Sequence, residues 1–105
     1  MAPPSGVKVT VLRCFNMDEV FKEPPVRIRY SGPCDSFKEG QEFILGAEKT
    51  PSMPEGFCSF AWDTLFPWIM ITRSGGDLEF YEDCGVAVIS CADGLRPVIF
   101  KLERI

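Results

Sequence analysis

Histidine is absent from this chain of 105 residues. The most frequent general base, the most frequent metal ligand and the side chain that titrates nearest neutral pH are therefore all missing. No Ser-His-Asp triad and no Cys-His pair can be built from this chain alone. Any chemistry here must use thiols, carboxylates or basic side chains.

Positive charge is scarce as well. The chain has 11 Lys and Arg residues against 15 Asp and Glu, a net charge of −4, and a pI of about 4.8. The basic residues are scattered, without a run of Lys or Arg. Because nucleic-acid binding requires a basic face that neutralises phosphates, we predict no nucleic-acid partner.

The chain also lacks a long uninterrupted apolar run. Its most apolar stretch extends from Phe57 to Ile71 but contains Asp63 and Pro67, and it is shorter than the roughly twenty residues that a membrane-spanning helix needs. No membrane partner is therefore expected. The first residues do not resemble a signal peptide, and the five cysteines are odd in number. These features predict a cytoplasmic protein with free thiols.

The order of alternating and helical segments predicts an α+β fold. Strands are expected in 6–15, 26–30, 41–45, 86–91 and 96–105, and a short strand followed by a turn in 77–85, with the apolar segment 86–91 at the centre of the sheet. A short helix is expected in 16–23 and a loop in 46–56. A principal apolar helix then extends to Ile71, starts within about one residue of Cys58, is kinked or divided at Pro67, and packs across the small antiparallel or mixed sheet. We predict a flexible N-terminus at 1–6 and a single domain over 7–105.

The principal helix is apolar on nearly every side. Such a helix is either buried or meets another subunit, so we expect either a core position or contact with a second copy of the chain or a larger protein partner. Pro67 removes the hydrogen bond to the carbonyl of Asp63. Two interpretations stay open: a packing kink in a core helix, or a kink that opens a pocket near Asp63.

Three of the five cysteines fall at predicted element ends, where sites are usually built. Cys34 follows a Gly-Pro turn, Cys58 begins the principal helix, and Cys91 ends a strand; Cys14 and Cys84 look incidental. No two cysteines have the close spacing of a zinc ribbon or an iron–sulfur motif. A thiolate-bound metal ion (zinc, iron or copper) therefore requires Cys34, Cys58 and Cys91 to converge from distant segments.

Cys58 is also the candidate nucleophile, because the start of a helix favours a thiolate. Asp63 is the candidate supporting residue, and Trp62 and Arg96 are the candidates for binding a ligand or cofactor. The alternative for Cys58 is a small buried side chain beside Trp62. Asp93, next to Gly94, is explained by a turn, and Arg96 by an acidic ligand or a surface ion pair.

Three segments resemble a family of short, uncharacterised prokaryotic proteins, and the resemblance extends from Val7 to Ile105. They are SGPCDSFKEGQEFIL, MPEGFCSFAW and CADGLRPVIFKLERI, in order along the chain. The resemblance implies no activity, but it singles out Cys34, Cys58 and Cys91 as the motif cysteines. Relatives in this family carry His at the position of Asp63. If that histidine belongs to a metal or acid–base site in the family, the resemblance implies that this role would have to pass to the Asp63 carboxylate here.

Three functions follow from these observations. The first is a small binding protein whose Cys34, Cys58 and Cys91 line a site for a metal ion or small ligand, acting as an oligomer or subunit. The second is a thiol-dependent enzyme with Cys58 as nucleophile or redox thiol. The third is a purely structural interaction module.

Overall fold

An antiparallel sheet of four strands forms the framework of the computed structural model, which describes residues 3–105. The strands are β1 (Val7–Cys14), β2 (Glu42–Leu45), β3 (Val86–Ser90) and β4 (Val98–Arg104), in the spatial order β2-β1-β4-β3. The helices are α1 (Met17–Val20) and α2 (Ser59–Arg73). The predicted α+β class, with one principal helix and one short helix, is confirmed.

The inner face of the sheet is apolar because β1 alternates. Val7, Val9 and Val11 are each 1% exposed, while the residues between them face the other way. Val9 lies opposite Phe43 on β2 and Leu102 on β4. These rows of apolar side chains form the surface on which α2 packs.

The outer face of the sheet carries charged side chains. Lys8 lies 3.7 Å from both Glu42 and Glu103, and Lys101 lies 3.5 Å from Glu103. Their side chains are 30–53% exposed, so each ion pair contributes less than about 1 kcal/mol. These pairs mark a face that is in contact with solvent.

Helix α2 packs on the inner face through one stripe. Ala61, Leu65 and Ile69 are each fully buried, with the spacing of four residues that places side chains on one side of a helix. The helix runs through Pro67 without dividing into two, and Pro67 is exposed. Phe60 and Ile71 lie on the outward side of α2 and are 77% and 45% exposed.

Arg104 holds the C-terminal end of α2. Its Nη1 donates to the carbonyls of Thr72 at 3.0 Å and Gly76 at 3.1 Å, and its Nη2 donates to Asp77 Oδ1 at 2.7 Å. Gly75 has a φ of +94°, which confirms the predicted glycine stop after the helix. The carbonyl of Thr72, in the last turn of α2, where partners within the helix are lacking, thereby gains a hydrogen bond.

Arg73 attaches the same end of α2 to two other segments. Its Nη2 donates to the carbonyls of Ala47 and Lys49, each at 3.1 Å. The Ser5 N–H donates to the Arg73 carbonyl at 3.0 Å. Ser5 belongs to the predicted flexible N-terminus, 1–6, of which residues 1 and 2 lie outside the described residues.

Three strand predictions need correction. Residues 26–30 form no strand, and none of the four strands of the sheet pairs with them; alternation alone does not supply a pairing partner. Residues 77–85 form a loop that is held by Asp77 and Tyr81 side chains rather than a strand. β3 lies at the edge of the sheet, not at its centre, and the Tyr81 hydroxyl accepts the N–H of Val88 there at 3.3 Å.

Within residues 3–105, no helix has both the length and the apolar character that crossing a membrane demands.

The Arg104–Asp77 contact makes the stability of the fold pH-dependent. The hydrogen bond from Arg104, and after it the one from the Gly85 N–H, lowers the pKa of Asp77. The contribution is therefore complete above the unfolded pKa of about 4 and is lost as the pH falls through the folded pKa. We expect Asp77→Asn to lower the urea midpoint at pH 7 and to weaken its decrease between about pH 5 and 2.

Asp83→Asn is the matched control for this prediction. Asp83 is exposed in the same loop and makes no ion pair within the described residues. It should leave both the midpoint at pH 7 and the acid dependence close to wild type. Equal effects of the two substitutions would contradict the proposed role of the Asp77 contact.

Candidate functional site

Four phenylalanine rings pack against each other at one end of the inner face. Phe37 comes from the loop before β2, Phe43 from β2, Phe57 from the segment before α2, and Phe100 from β4. The centroid of Phe37 lies 4.9 Å from that of Phe57 and 5.0 Å from that of Phe100, and Phe43 lies 5.0 Å from Phe57. Their edge-to-face geometry is the favourable one for aromatic rings. We call this group the phenylalanine cluster.

Three motif cysteines pack against the core beside the phenylalanine cluster. Cys34 lies three residues before Phe37, and Cys58 directly follows Phe57. Cys91 meets the start of β4, where its N–H donates to the Val98 carbonyl at 2.9 Å and its Sγ accepts the Val98 N–H at 3.3 Å. Each cysteine is half-buried and packs against the core.

Cys34, Cys58 and Cys91 line a single pocket of about 390 Å³. We call it the thiol pocket. Its other lining residues are Phe37, Phe60, Ala61, Ala92, Asp93, Arg96 and Val98. The wall is therefore mainly apolar, with three thiols and one pair of oppositely charged residues.

The first turn of α2 forms part of this wall. Cys58 is the N-cap residue, and its carbonyl accepts the Trp62 N–H at 2.9 Å. Phe60 and Ala61 in the first turn also line the thiol pocket. Because the N–H groups of a first turn have no partners within the helix and carry the positive end of its dipole, this side of the pocket favours negative charge on a ligand.

Asp93 and Arg96 lie where the thiol pocket meets the β3–β4 turn. Asp93 Oδ1 accepts the N–H groups of Leu95 at 2.9 Å and Arg96 at 3.2 Å, which confirms its predicted role in a turn. Arg96 Nη1 lies 3.4 Å from the Gly32 carbonyl, to which it donates. Arg96 therefore connects this turn to the loop that contains Cys34.

The other two candidates from the sequence do not reach the thiol pocket. Asp63 is exposed on α2 and does not line the pocket. Trp62 packs its ring 5.8 Å from that of Phe57 and 5.6 Å from that of Phe66. Cys58 and Asp63 are five residues apart on a helix, which directs their side chains to different sides.

Cys14 belongs near this group, although the sequence interpretation set it aside. It pairs with Val98 across the β1–β4 ladder, and its Sγ donates to the Phe37 carbonyl at 3.7 Å. Burial raises the pKa of its thiol, and repulsion by Glu39, Cys34 and Cys91 adds to the rise. A sequence signal for this position exists: Cys14 is the last residue of β1, and in an antiparallel pair the end of one strand lies beside the start of its partner, here Val98 of β4.

Cys84, in contrast, is exposed in the loop 77–85 and does not line the pocket.

These thiols do not form a preformed metal site. Among residues 3–105, no group of three or more Cys, Asp or Glu side chains comes close enough to hold a metal ion together. A site for zinc, iron or copper at Cys34, Cys58 and Cys91 would require their side chains to move together, and it stays a prediction.

Comparisons with protein-family models, curated proteins and solved structures found no match to this chain. The resemblance to a prokaryotic family, based on three sequence segments, therefore also stays a prediction.

Removing one ring should test whether the phenylalanine cluster positions the cysteines. Phe37 is 5% exposed, so Phe37→Ala should leave a cavity that costs about 3 kcal/mol of unfolding free energy. It should also accelerate alkylation of Cys34 by iodoacetamide in the folded protein, because the loop loses its anchor. The readouts are urea denaturation and mass spectrometry of the labelled peptides.

Phe80→Ala is the control, since Phe80 is 76% exposed. It should change neither the midpoint nor the labelling rate of Cys34. If Phe37→Ala behaved like Phe80→Ala, the cluster would not be what holds Cys34 in place.

Proposed function

We propose that this protein binds a small, mainly apolar organic ligand in the thiol pocket. The observation that supports the proposal is the convergence of Cys34, Cys58 and Cys91, from three distant segments, on one half-enclosed apolar cavity of about 390 Å³. Small-molecule sites typically have volumes of roughly 300–1,000 Å³, apolar walls and a few polar groups. The thiol pocket has all three properties.

An organic ligand is favoured over a metal ion because it needs no rearrangement. The apolar wall at Phe37, Ala61 and Val98 is already in place, whereas a metal site would need the thiolates to approach each other. Sulfur is polarisable and packs well against apolar or aromatic surfaces. The three thiols therefore serve as contact groups on a ligand.

The enzyme alternative has less support. Cys58 lines the pocket, but its proposed supporting residue Asp63 does not, and the chain has no histidine. The carboxylate that does line the pocket, Asp93, already accepts two N–H groups through Oδ1. Among the described residues, no other carboxylate lines the pocket as a general base that could activate Cys58.

The predicted compartment and the predicted absence of a nucleic-acid partner are consistent with this proposal. The five cysteines are free thiols, as a reducing cytoplasmic compartment would keep them. The net charge of −4 supports the view that the partner is not a nucleic acid.

A neutral fluorescent probe tests the thiol pocket. N-phenyl-1-naphthylamine should bind the wild type at one site per chain, with a saturable increase in fluorescence. Ala92 is exposed at the rim of the pocket, so Ala92→Trp should fill the entrance and weaken binding about tenfold or more, a loss of about 1.4 kcal/mol. Ser74→Trp, an exposed position at the other end of α2, should bind the probe like wild type.

Alkylation supplies a second readout with an internal control. Saturating probe should slow the reaction of Cys34, Cys58 and Cys91 with iodoacetamide, while exposed Cys84 should react at the same rate with and without the probe. In Ala92→Trp the probe should no longer slow the reaction of these three cysteines. If it still protected all three there, the proposal would be contradicted. One Cd²⁺ per chain, bound with a thiolate charge-transfer band and lost in Cys58→Ser, would instead favour the metal-binding alternative.

A second candidate function is self-association through the outward side of α2. Phe60 and Ile71 are 77% and 45% exposed there, and Asp63 is the charged residue between them. Two copies packed antiparallel along α2 would place Phe60 of one chain near Ile71 of the other. Large apolar side chains exposed in this way are typical of contact surfaces.

Phe60→Glu should therefore shift the protein toward the monomer. The mass should be measured by analytical ultracentrifugation over a range of concentrations, with Phe80→Glu as the matched control. Phe80 is exposed to the same degree, 76% against 77%, but lies outside α2. A monomeric wild type, or equal effects of the two substitutions, would exclude association through α2.

A further inference from the structure

Two arginines from one segment and a third from a distant turn line one groove beside the thiol pocket. Arg27 and Arg29 come from the segment between α1 and β2, and Arg96 comes from the β3–β4 turn. Together with Ile28, Tyr30, Asp93 and Leu95 they line a groove of about 240 Å³. We call it the arginine groove.

The positive charge in the arginine groove is not neutralised by ion pairs. Within residues 3–105, none of its three guanidinium groups makes a salt bridge, whereas Arg13 and Arg104 do. The carboxylate in the groove is Asp93, whose Oδ1 already accepts two backbone N–H groups. A concentration of positive charge in a protein of net charge −4 points to an anion as its ligand.

Arg96 is held in position for such a ligand. Its Nη1 donates to the carbonyls of Gly32 at 3.4 Å and Pro33 at 3.5 Å, and its guanidinium carbon lies 5.6 Å from the centre of the Tyr30 ring. Its Nε and Nη2 make no hydrogen bond to the described residues. A planar guanidinium with free N–H groups is suited to bidentate binding of a phosphate or carboxylate.

The arginine groove and the thiol pocket share two residues. Asp93 and Arg96 line both, so the two cavities adjoin at the β3–β4 turn. One cavity is mainly apolar and the other is basic. A ligand that spans them needs an apolar body and one anionic group.

We propose that the arginine groove binds the oxyanion of an amphipathic organic ligand, a phosphate or a carboxylate, whose apolar part occupies the thiol pocket. The apolar half of this inference rests on the proposed function. The anionic half rests on Arg27, Arg29 and Arg96 alone and can be tested without it.

Matched alkyl probes separate the two halves. Octyl phosphate, octanoate and octanol share one chain and differ in the headgroup, and inorganic pyrophosphate has the anion without the chain. Calorimetric titration should show octyl phosphate or octanoate binding the wild type about tenfold or more tightly than octanol, since charge-assisted hydrogen bonds to an oxyanion form only with the charged headgroup. Added salt should lower the affinity of octyl phosphate and octanoate but not that of octanol.

The decisive variant is the double substitution Arg27→Gln with Arg29→Gln. Neither side chain makes a hydrogen bond or ion pair to the described residues, so the fold should survive. The double variant should reduce the affinity for the charged probe about tenfold or more and leave octanol binding unchanged. Lys49→Gln, which removes one positive charge from the exposed loop after β2, should alter neither.

The outcomes distinguish this inference from the proposed function. Unchanged binding of the charged probes in the double variant, or no binding of any anion to the wild type, would overturn the arginine groove while leaving the apolar probe as the test of the thiol pocket. Pyrophosphate binding that is lost in the double variant, with no binding of any alkyl probe, would support the groove and overturn the thiol pocket. The relative affinities of octyl phosphate and octanoate identify which oxyanion the groove accepts.

Discussion

The packing of four phenylalanine rings against the inner face of the sheet is the constraint on which the candidate site depends. Phe37 and Phe57 belong to segments that are not strands, and without an apolar surface to join they would have no defined position. Phe100 on β4 supplies that surface, with centroid distances of 5.0 Å to Phe37 and 5.8 Å to Phe57. Their neighbours Cys34 and Cys58 are carried along to the same place, next to Cys91.

The two ends of α2 have different surroundings: the C-terminal end is anchored by hydrogen bonds, and the N-terminal end borders a pocket. At the C-terminal end, Arg73 and Arg104 donate to carbonyls from several segments and fix the helix to the rest of the protein. At the N-terminal end, the first turn faces a pocket instead. A helix that is anchored at one end and packed along Ala61, Leu65 and Ile69 can present its other end to a ligand without loss of the fold.

Much of the fold was predictable from local patterns, and the errors share one cause. The alternation of 6–15 and 96–105 and the glycine stop of α2 depend on neighbouring residues, and these predictions are confirmed. The segment 26–30 alternates equally well but forms no strand, and no strand of the sheet pairs with it, because alternation does not specify a pairing partner. The position of β3 at the edge was missed because the apolar run 86–91 indicates a buried strand but does not specify which strands pair with it.

The sequence by itself determined the α+β class, the principal helix, the absence of histidine chemistry and the three cysteines at element ends, because each follows from composition or local spacing. Only the tertiary structure decided which side chains meet. It brought Cys14 toward the thiols, left Asp63 in solvent and gathered Arg27, Arg29 and Arg96 into one groove. The physical reason is that these meetings depend on strand pairing and aromatic packing between segments far apart in the chain, which local sequence patterns do not encode.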